Sequence, residues 1–391
     1  MQTAYIIAGY RTAVTKSKRG GFRFYRPDDL AIDVIKGLLT RVPELDTHLI
    51  DDVIVGNAVP EAEQGLQIGR VIANKAIGDW APGFTINRYC GSGLEAIAIA
   101  TSKIQMGFAD CIIAGGTENM SLVPTAGWRT MPNYEIAKTN GDFYLSMGLT
   151  AEEVAKDYKI TREEQDAFAL NSHKKAMHAI SQGFFKEGIL PIKVNEIYLN
   201  EKNKRTVREV IIDTDEGPRA DTSMEVLAKL PAVFAQGGTV TAGNSSQTSD
   251  GAAFTIVMSE KLMKQIGLNP IGRLVNCACA GVDPRVMGIG PIKAVPKVLK
   301  QAGMTLNDID LIELNEAFAS QSLAVIKELN LNKDILNING GAISLGHPLG
   351  CTGAKLTIQL LHDLKRLSKR YGIVTACIGG GQGIAGIIER L

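Results

Sequence analysis

The stretch Asn87-Arg88-Tyr89-Cys90-Gly91-Ser92-Gly93 joins an extended run, Phe84 to Ile86, to an apolar helical run from Leu94 to Phe108, so a cysteine stands where a strand turns into a helix. A thiol there is placed to act as a nucleophile. The glycines on either side of Ser92 allow a tight turn and a close approach by another molecule, and the start of the helix presents positive partial charge to the sulfur. A free thiol of pKa about 8.5 is only a few per cent ionised at neutral pH, so this setting predicts a raised thiolate fraction. An isolated cysteine is more often a small buried hydrophobe, and here its partners decide against that. His347 lies in Gly346-His347-Pro348-Leu349-Gly350, Cys377 precedes the turn Gly379-Gly380-Gly381, and Asn315 ends an apolar run. A thiolate, a histidine, a second cysteine on a glycine-rich turn and an asparagine at a strand end supply the parts for acyl transfer through a thioester.

The elements that must position these residues recur. Ala4 to Ala8, Asp52 to Ala58 and Cys111 to Gly116 read as strands, with helical periodicity in Leu30 to Leu39 and Gly65 to Ile77 between them. The C-terminal part repeats this grammar: strands at Leu274 to Ala278, Asp310 to Phe318 and Ile373 to Cys377, and helices at Ala294 to Ala302 and Ser320 to Leu329. Such alternation predicts an α/β fold with a mainly parallel sheet. Asn57 precedes Cys90 by 33 residues and Asn315 precedes His347 by 32, which predicts that Cys90 and His347 occupy equivalent places in two duplicated halves. The last strand of the first half is delayed until Gly251 to Met258, implying an insertion from roughly Asn119 to Asn244. Its amphipathic helices (Thr150 to Tyr158, Arg162 to Gln182) and charged stretch (Lys193 to Glu216) suit a segment that holds the larger part of a substrate.

Composition narrows the class. With 391 residues, 45% hydrophobic and 21% charged, the chain reads as an ordinary globular protein of two or three domains. A formal net charge of +1 implies neither a nucleic-acid partner nor an anionic membrane surface. Six cysteines without paired spacing point to a reducing compartment, and Cys277-Ala-Cys279 lacks the second pair that a zinc site needs, so no metal is expected. No basic leader opens the chain, no window of 18 apolar residues could span a membrane, and Glu389-Arg390-Leu391 is not the usual peroxisomal tripeptide, so the expected location is cytoplasmic, without membrane insertion. Gly379 to Gly383 cannot be a dinucleotide loop because no helix follows, and Gly346 to Gly353 lacks the Lys-Ser/Thr ending of a P-loop.

Five segments in order, NRYCGSG around Cys90, TAGNSSQTSDGAA from Thr241, NEAF at Asn315 to Phe318, GGAISLGHPLGCTG around His347 and CIGGGQG from Cys377, resemble the thiolase family along almost the whole chain. The resemblance implies a thiolase fold: two duplicated halves (1–118 plus 245–268, and 269–391) in a five-layered αβαβα core, with an inserted coenzyme A-binding loop domain at 119–244. It implies that Cys90 is acylated and His347 activates it, while Cys377 moves a proton at the substrate α-carbon. Asn315, through a water, and His347 would form one oxyanion hole, and the backbone N–H groups of Cys90 and Gly379 another. Arg219, Phe234, Ser246, Met147, Met287, Ala317 and Phe318 would contact coenzyme A thioesters, which are substrates, with no separate cofactor; a homodimer or homotetramer is expected. One departure stands out: Ser146 replaces the histidine of the His-Met-Gly segment in short-chain biosynthetic relatives, favouring a degradative 3-ketoacyl-CoA thiolase. An acetyl-CoA acetyltransferase is the alternative within enzymes, and a silent acyl-CoA- or lipid-binding protein of the same fold the alternative outside them; retention of Cys90, Asn315, His347 and Cys377 together favours an enzyme.

Overall fold

The computed structural model describes residues 2–391. In chain order the first half contains β1 (Ala4–Arg11), α1 (Pro27–Leu39), β2 (Asp52–Gly56), α2 (Ile68–Ala76), β3 (Gly83–Ile86), α3 (Ser92–Gln105) and β4 (Cys111–Asn119). The inserted segment follows, with helices α4 (Met147–Asp157) and α5 (Arg162–Ser181) and an exposed hairpin of β5 (Ile192–Leu199) and β6 (Arg205–Ile212). The chain then returns as β7 (Ser249–Ser259) and builds β8 (Gly272–Gly281), α6 (Gly290–Ala302), β9 (Leu311–Leu314), α7 (Ala319–Leu329), α8 (Thr352–Arg366), β10 (Tyr371–Ile378) and β11 (Gln382–Arg390). Local chemistry marks the helix starts. Pro27 and the acidic Asp28 and Asp29 open α1, and a reciprocal Thr161/Glu164 capping box opens α5.

The strands lie side by side as β3-β2-β4-β7-β1-β8-β11-β10-β9, and residue Leu336 bridges to Ile312 beyond β9 in the parallel sense. Taken by rank in sequence, both halves therefore have the same strand order. They meet at a single antiparallel pairing, Ile6 with Gly272. The sheet is mixed rather than mainly parallel: β2 runs parallel to β3 and β4, and β9 to β10, but β4/β7, β7/β1, β10/β11 and β11/β8 are antiparallel. A turn as short as Gly379 to Gly381 leaves no room for the crossover that a parallel connection requires. The run expected to continue as strand to Phe318 stops at Leu314, because Ala317 N–H folds back onto the Asn315 carbonyl and Phe318 becomes the N-cap position of α7.

Three apolar clusters define the layers. One, containing Leu94, Ile97 and Ile104 of α3 and Leu356, Ile358 and Leu360 of α8, lies between the two half-sheets; another packs α1 and α2 on the outer face of the first half, and a third packs α6 and α7 on that of the second. The result is helix, sheet, helix, sheet, helix. Twelve of the fifteen residues of α8 are buried, as a helix covered on every side requires. The inserted segment is fastened to this core by a buried bidentate pair, Arg11 with Asp215 at 2.7 and 2.8 Å, whose carboxylate also accepts from Val14 N–H.

At their N-terminal ends α3 and α8 touch backbone to backbone. A Cβ on Gly353 would fall 2.2 Å from the Leu94 nitrogen, and one on Gly93 would fall 2.6 Å from the Ala354 nitrogen. Each helix is entered through a 3₁₀ turn, Tyr89–Gly91 for α3 and Leu349–Cys351 for α8. Cys90 therefore corresponds to Gly350, and His347 to Asn87, which displaces by three residues the equivalence that spacing alone suggested. Replacing Gly353 by alanine is expected to lower unfolding stability by about 3 kcal/mol, since the Cβ meets backbone that cannot yield. Chemical denaturation of the variant checks this; a loss under about 1 kcal/mol would show that the crossing tolerates wider separation.

Candidate active site

Cys90 lies in the turn between β3 and α3, at the bottom of a local distortion. Tyr89, just before it, has φ +43°, a left-handed conformation that costs a non-glycine residue about 1 kcal/mol or more. Hydrogen bonds hold it there. Asn87 Oδ1 accepts from Tyr89 N–H at 2.9 Å, Ser92 Oγ donates to the Tyr89 carbonyl at 2.7 Å, and Arg88 N–H donates to Ser92 Oγ at 2.8 Å. Arg88 reaches across to Gln382 Oε1 at 3.1 Å, tying this turn to the β10–β11 hairpin that carries Gly379.

His347 faces the sulfur. Its Nε2 is 3.2 Å from Cys90 Sγ and 3.3 Å from Asn315 Nδ2, and its Nδ1 is 2.6 Å from Thr352 Oγ1. The Thr352 hydroxyl donates its proton to the Pro348 carbonyl at 2.9 Å, so toward the ring it can only accept. That fixes the proton on Nδ1 and leaves the Nε2 lone pair facing Cys90. Thr352, five residues after His347 in the first turn of α8, had no signal in the sequence beyond its place in the motif. Asn315 Oδ1 is buried without a hydrogen-bond partner, the one orphaned acceptor beside this pair.

Electrostatics here reverse the expectation of a thiolate. Burial pushes the Cys90 thiol up to about 12, against the opposing pull of its own N–H and that of Gly379, with Glu118 adding to the rise. Burial also pushes His347 down to about 3, helped by Lys355. Removal from water outweighs the helix end, so the resting pair is a thiol beside a neutral imidazole. The backbone N–H groups of Cys90 and Gly379, which the family resemblance implies as an oxyanion hole, lie close enough to the sulfur to favour its thiolate.

Cys377, the last residue but one of β10, is fully buried. It belongs to an apolar cluster with Met147, Ala151, Val240, Met287, Ala317 and Phe318. Four of the seven residues expected to contact coenzyme A thus line one wall around this thiol. Phe234 joins the wall edge-on to Phe318, ring centroids 6.1 Å apart, and Ser246 N–H donates to the Ala317 carbonyl at 2.9 Å. Burial, then the neighbouring Cys90, drives the Cys377 thiol well above its ordinary range. Arg219 stands apart, exposed, with its backbone N–H donating to Nδ1 of buried His173 at 3.2 Å. Its loop is nevertheless tied toward the site: Gln247 Nε2 donates to the carbonyls of Gly217 and Ser344, and the Gln247 carbonyl accepts from His347 N–H. Ser146, which stands in place of the expected histidine, caps α4, its Oγ accepting from Leu149 N–H.

Family models described as the thiolase N-terminal and C-terminal domains match residues 4–261 and 268–390. The chain is 48% identical to a protein of Bacillus subtilis named 3-ketoacyl-CoA thiolase, covering all of both chains. It is 41% identical to an acetyl-CoA acetyltransferase of Escherichia coli, again over the full length of both. Among solved structures it resembles the acetyl-CoA acetyltransferase of Bacillus anthracis, with TM-score 0.90, 39% identity and coverage of 100% of this chain and 99% of the other. Matched by both domain models and 48% identical over its whole length to a protein named as a thiolase, the chain belongs to the thiolase family.

Proposed function

We propose that this chain cleaves 3-ketoacyl-CoA with coenzyme A, releasing acetyl-CoA and an acyl-CoA shortened by two carbons. The observation that carries this is the presence of two thiols with opposite surroundings at one site: Cys90 against a basic imidazole nitrogen, Cys377 within an apolar wall. As the Cys90 sulfur adds to the C3 carbonyl, its proton passes to His347 Nε2. The C3 oxyanion is met by the N–H groups of Cys90 and Gly379 or by His347 with a water held on Asn315. Collapse breaks the C2–C3 bond, and its electron pair takes a proton from Cys377, a thiol that burial keeps protonated until then. Coenzyme A then gives its thiol proton to Cys377, attacks the acyl-Cys90 thioester and departs as acyl-CoA, while His347 returns its proton to Cys90. Every proton borrowed is returned.

In this reading residues 1–118 with 245–268, and 269–391, are the two catalytic halves, and 119–244 is the segment that carries coenzyme A, with Arg219 toward its phosphates. The enzyme acts in the cytoplasm as a homodimer or homotetramer and needs only its thioester substrates. Ser146 favours the degradative direction: a helix cap leaves the acyl pocket without an imidazole beside Met147. The printed names of the Escherichia coli relative and the Bacillus anthracis structure support acetyl-CoA acetyltransferase as the second reading.

Cys377→Ser should lose ketoacyl cleavage by about a hundredfold while still acquiring an acyl group on Cys90, and Cys90→Ser should lose both. Methyl hydrogen exchange of acetyl-CoA in deuterated water separates them; exchange at the wild-type rate in Cys377→Ser would assign the proton to another residue. Thr352→Val, which frees the ring to place its proton on either nitrogen, should lower kcat about tenfold with KM little changed. Steady-state kinetics check this, and an unaltered kcat would show that something else sets the tautomer. Across 3-ketoacyl-CoAs of four to sixteen carbons, substrates longer than acetoacetyl-CoA should have the higher kcat/KM. A tenfold preference for acetoacetyl-CoA, about 1.4 kcal/mol, would favour the acetyltransferase reading.

A further inference from the structure

The duplicated fold places one residue opposite each member of the active site, and the opposite number of Cys377 is a carboxylate. In the second half Leu314 pairs with Thr375, Asn315 follows the one and Cys377 lies two beyond the other. In the first half Gly56 pairs with Gly116, Asn57 follows the one and Glu118 lies two beyond the other. The neighbouring strand agrees, since Cys377 pairs with Gly383 and Glu118 with Gly251. On the helix side Gly350 stands opposite Cys90. The first half thus holds a second constellation of the same plan without a thiol.

Glu118 is 1% exposed and meets only donors. Its Oε2 accepts from Gly350 N–H at 2.9 Å and Ala58 N–H at 2.7 Å, and its Oε1 from Gln64 Nε2 at 2.7 Å and Asn57 Nδ2 at 3.4 Å. Burial raises the pKa of this carboxyl group, opposed by the donors from Ala58, Gly350 and Gln64. Four donors converging on its two oxygens match the carboxylate form, in which hydrogen bonds to a buried charge are the strong kind. Gly350 lies three residues from His347. From Ala58 a second arm runs to the nucleophile: the Ala58 carbonyl accepts from Asn87 Nδ2 at 2.9 Å, and Asn87 Oδ1 accepts from the N–H of Tyr89, next to Cys90.

We infer that Glu118 is a positioning residue for acyl transfer, its carboxylate fastening the His347 loop and the Cys90 turn to one point so that Nε2 and Sγ stay within reach. This rests on the function proposed above. The constellation that lost its thiol has become the clamp of the one that kept it.

The test compares wild type, Glu118→Gln and Asn87→Ala in steady-state thiolysis and in single-turnover acylation of Cys90 by acyl-CoA. Both variants should lose about tenfold or more in kcat and in the acylation rate constant while KM for each substrate stays within about threefold; unfolding of part of the enzyme would lower kcat and the acylation amplitude but leave the acylation rate constant unchanged. Asn87 is exposed, so if Glu118→Gln does not fold, Asn87→Ala carries the test by the same criterion. Wild-type kcat in a folded Glu118→Gln, or in Asn87→Ala when the first does not fold, would overturn the inference. So would a rise in KM with kcat unchanged. Wild-type protein that takes no acyl group on Cys90 would instead overturn the function itself, whereas equal acylation of wild type and Glu118→Gln would overturn the positioning role alone.

Discussion

The backbone contact between the N-terminal ends of α3 and α8 governs the rest of the structure. The two helices are the middle layer, and their first turns carry the two loops on which acyl transfer depends. Gly93 and Gly353 let them approach until one backbone rests against the other. Side chains from different halves, 257 positions apart in sequence, are thereby set 3.2 Å from one another. No single half could do this, because each supplies one member of the thiol–imidazole pair and one helix end. Duplication with a shared central layer is thus a geometric condition for the chemistry, and the outer helices, the mixed sheet and the inserted segment are arranged around it.

The same enclosure sets the electrostatics. A helix end in water would favour thiolate at Cys90, but here the imidazole is buried and the partly buried thiol is poorly hydrated, so a separated charge pair is expensive. Both groups rest neutral, and charge appears only as the sulfur attacks. In the proposed mechanism the oriented N–H groups of Cys90 and Gly379 then meet the developing oxyanion without having to reorganise. Under the same proposal, the apolar wall that disfavours the Cys377 thiolate would make it a proton donor to a carbanion, so that two cysteines in one site would take different roles from their surroundings.

Much of this was legible in the sequence because it rests on local patterns. The strand–turn–helix setting of Cys90, the duplicated grammar and the delayed last strand of the first half could be read from spacing and glycine placement, and His347, Cys377 and Asn315 from residue type. Met147, Phe234, Met287, Ala317 and Phe318, by contrast, came only from the family resemblance. The rest depends on contacts that no local pattern carries. The direction of the strands around each hairpin followed from turn length, not from alternation of elements. The match of His347 with Asn87 rather than Cys90 emerged only from the 3₁₀ turns that start α3 and α8. Thr352 sets the histidine tautomer through a hydroxyl whose own proton is committed elsewhere, a relation invisible in a motif. Glu118 did leave a trace, an acidic residue at the end of the otherwise uncharged buried run from Cys111 to Thr117, but what it binds lies 232 residues away.

The central claim is that this geometry makes Cys90, alone among six cysteines, the carrier of the acyl group. Brief exposure of the protein to acyl-CoA without free coenzyme A, followed by acid quenching and peptide mass mapping, addresses it directly. The account predicts an acyl increment on the peptide containing Cys90 and unmodified peptides for Cys111, Cys277, Cys279, Cys351 and Cys377. An acyl group on Cys377 with Cys90 unmodified, or none on any cysteine, would contradict it.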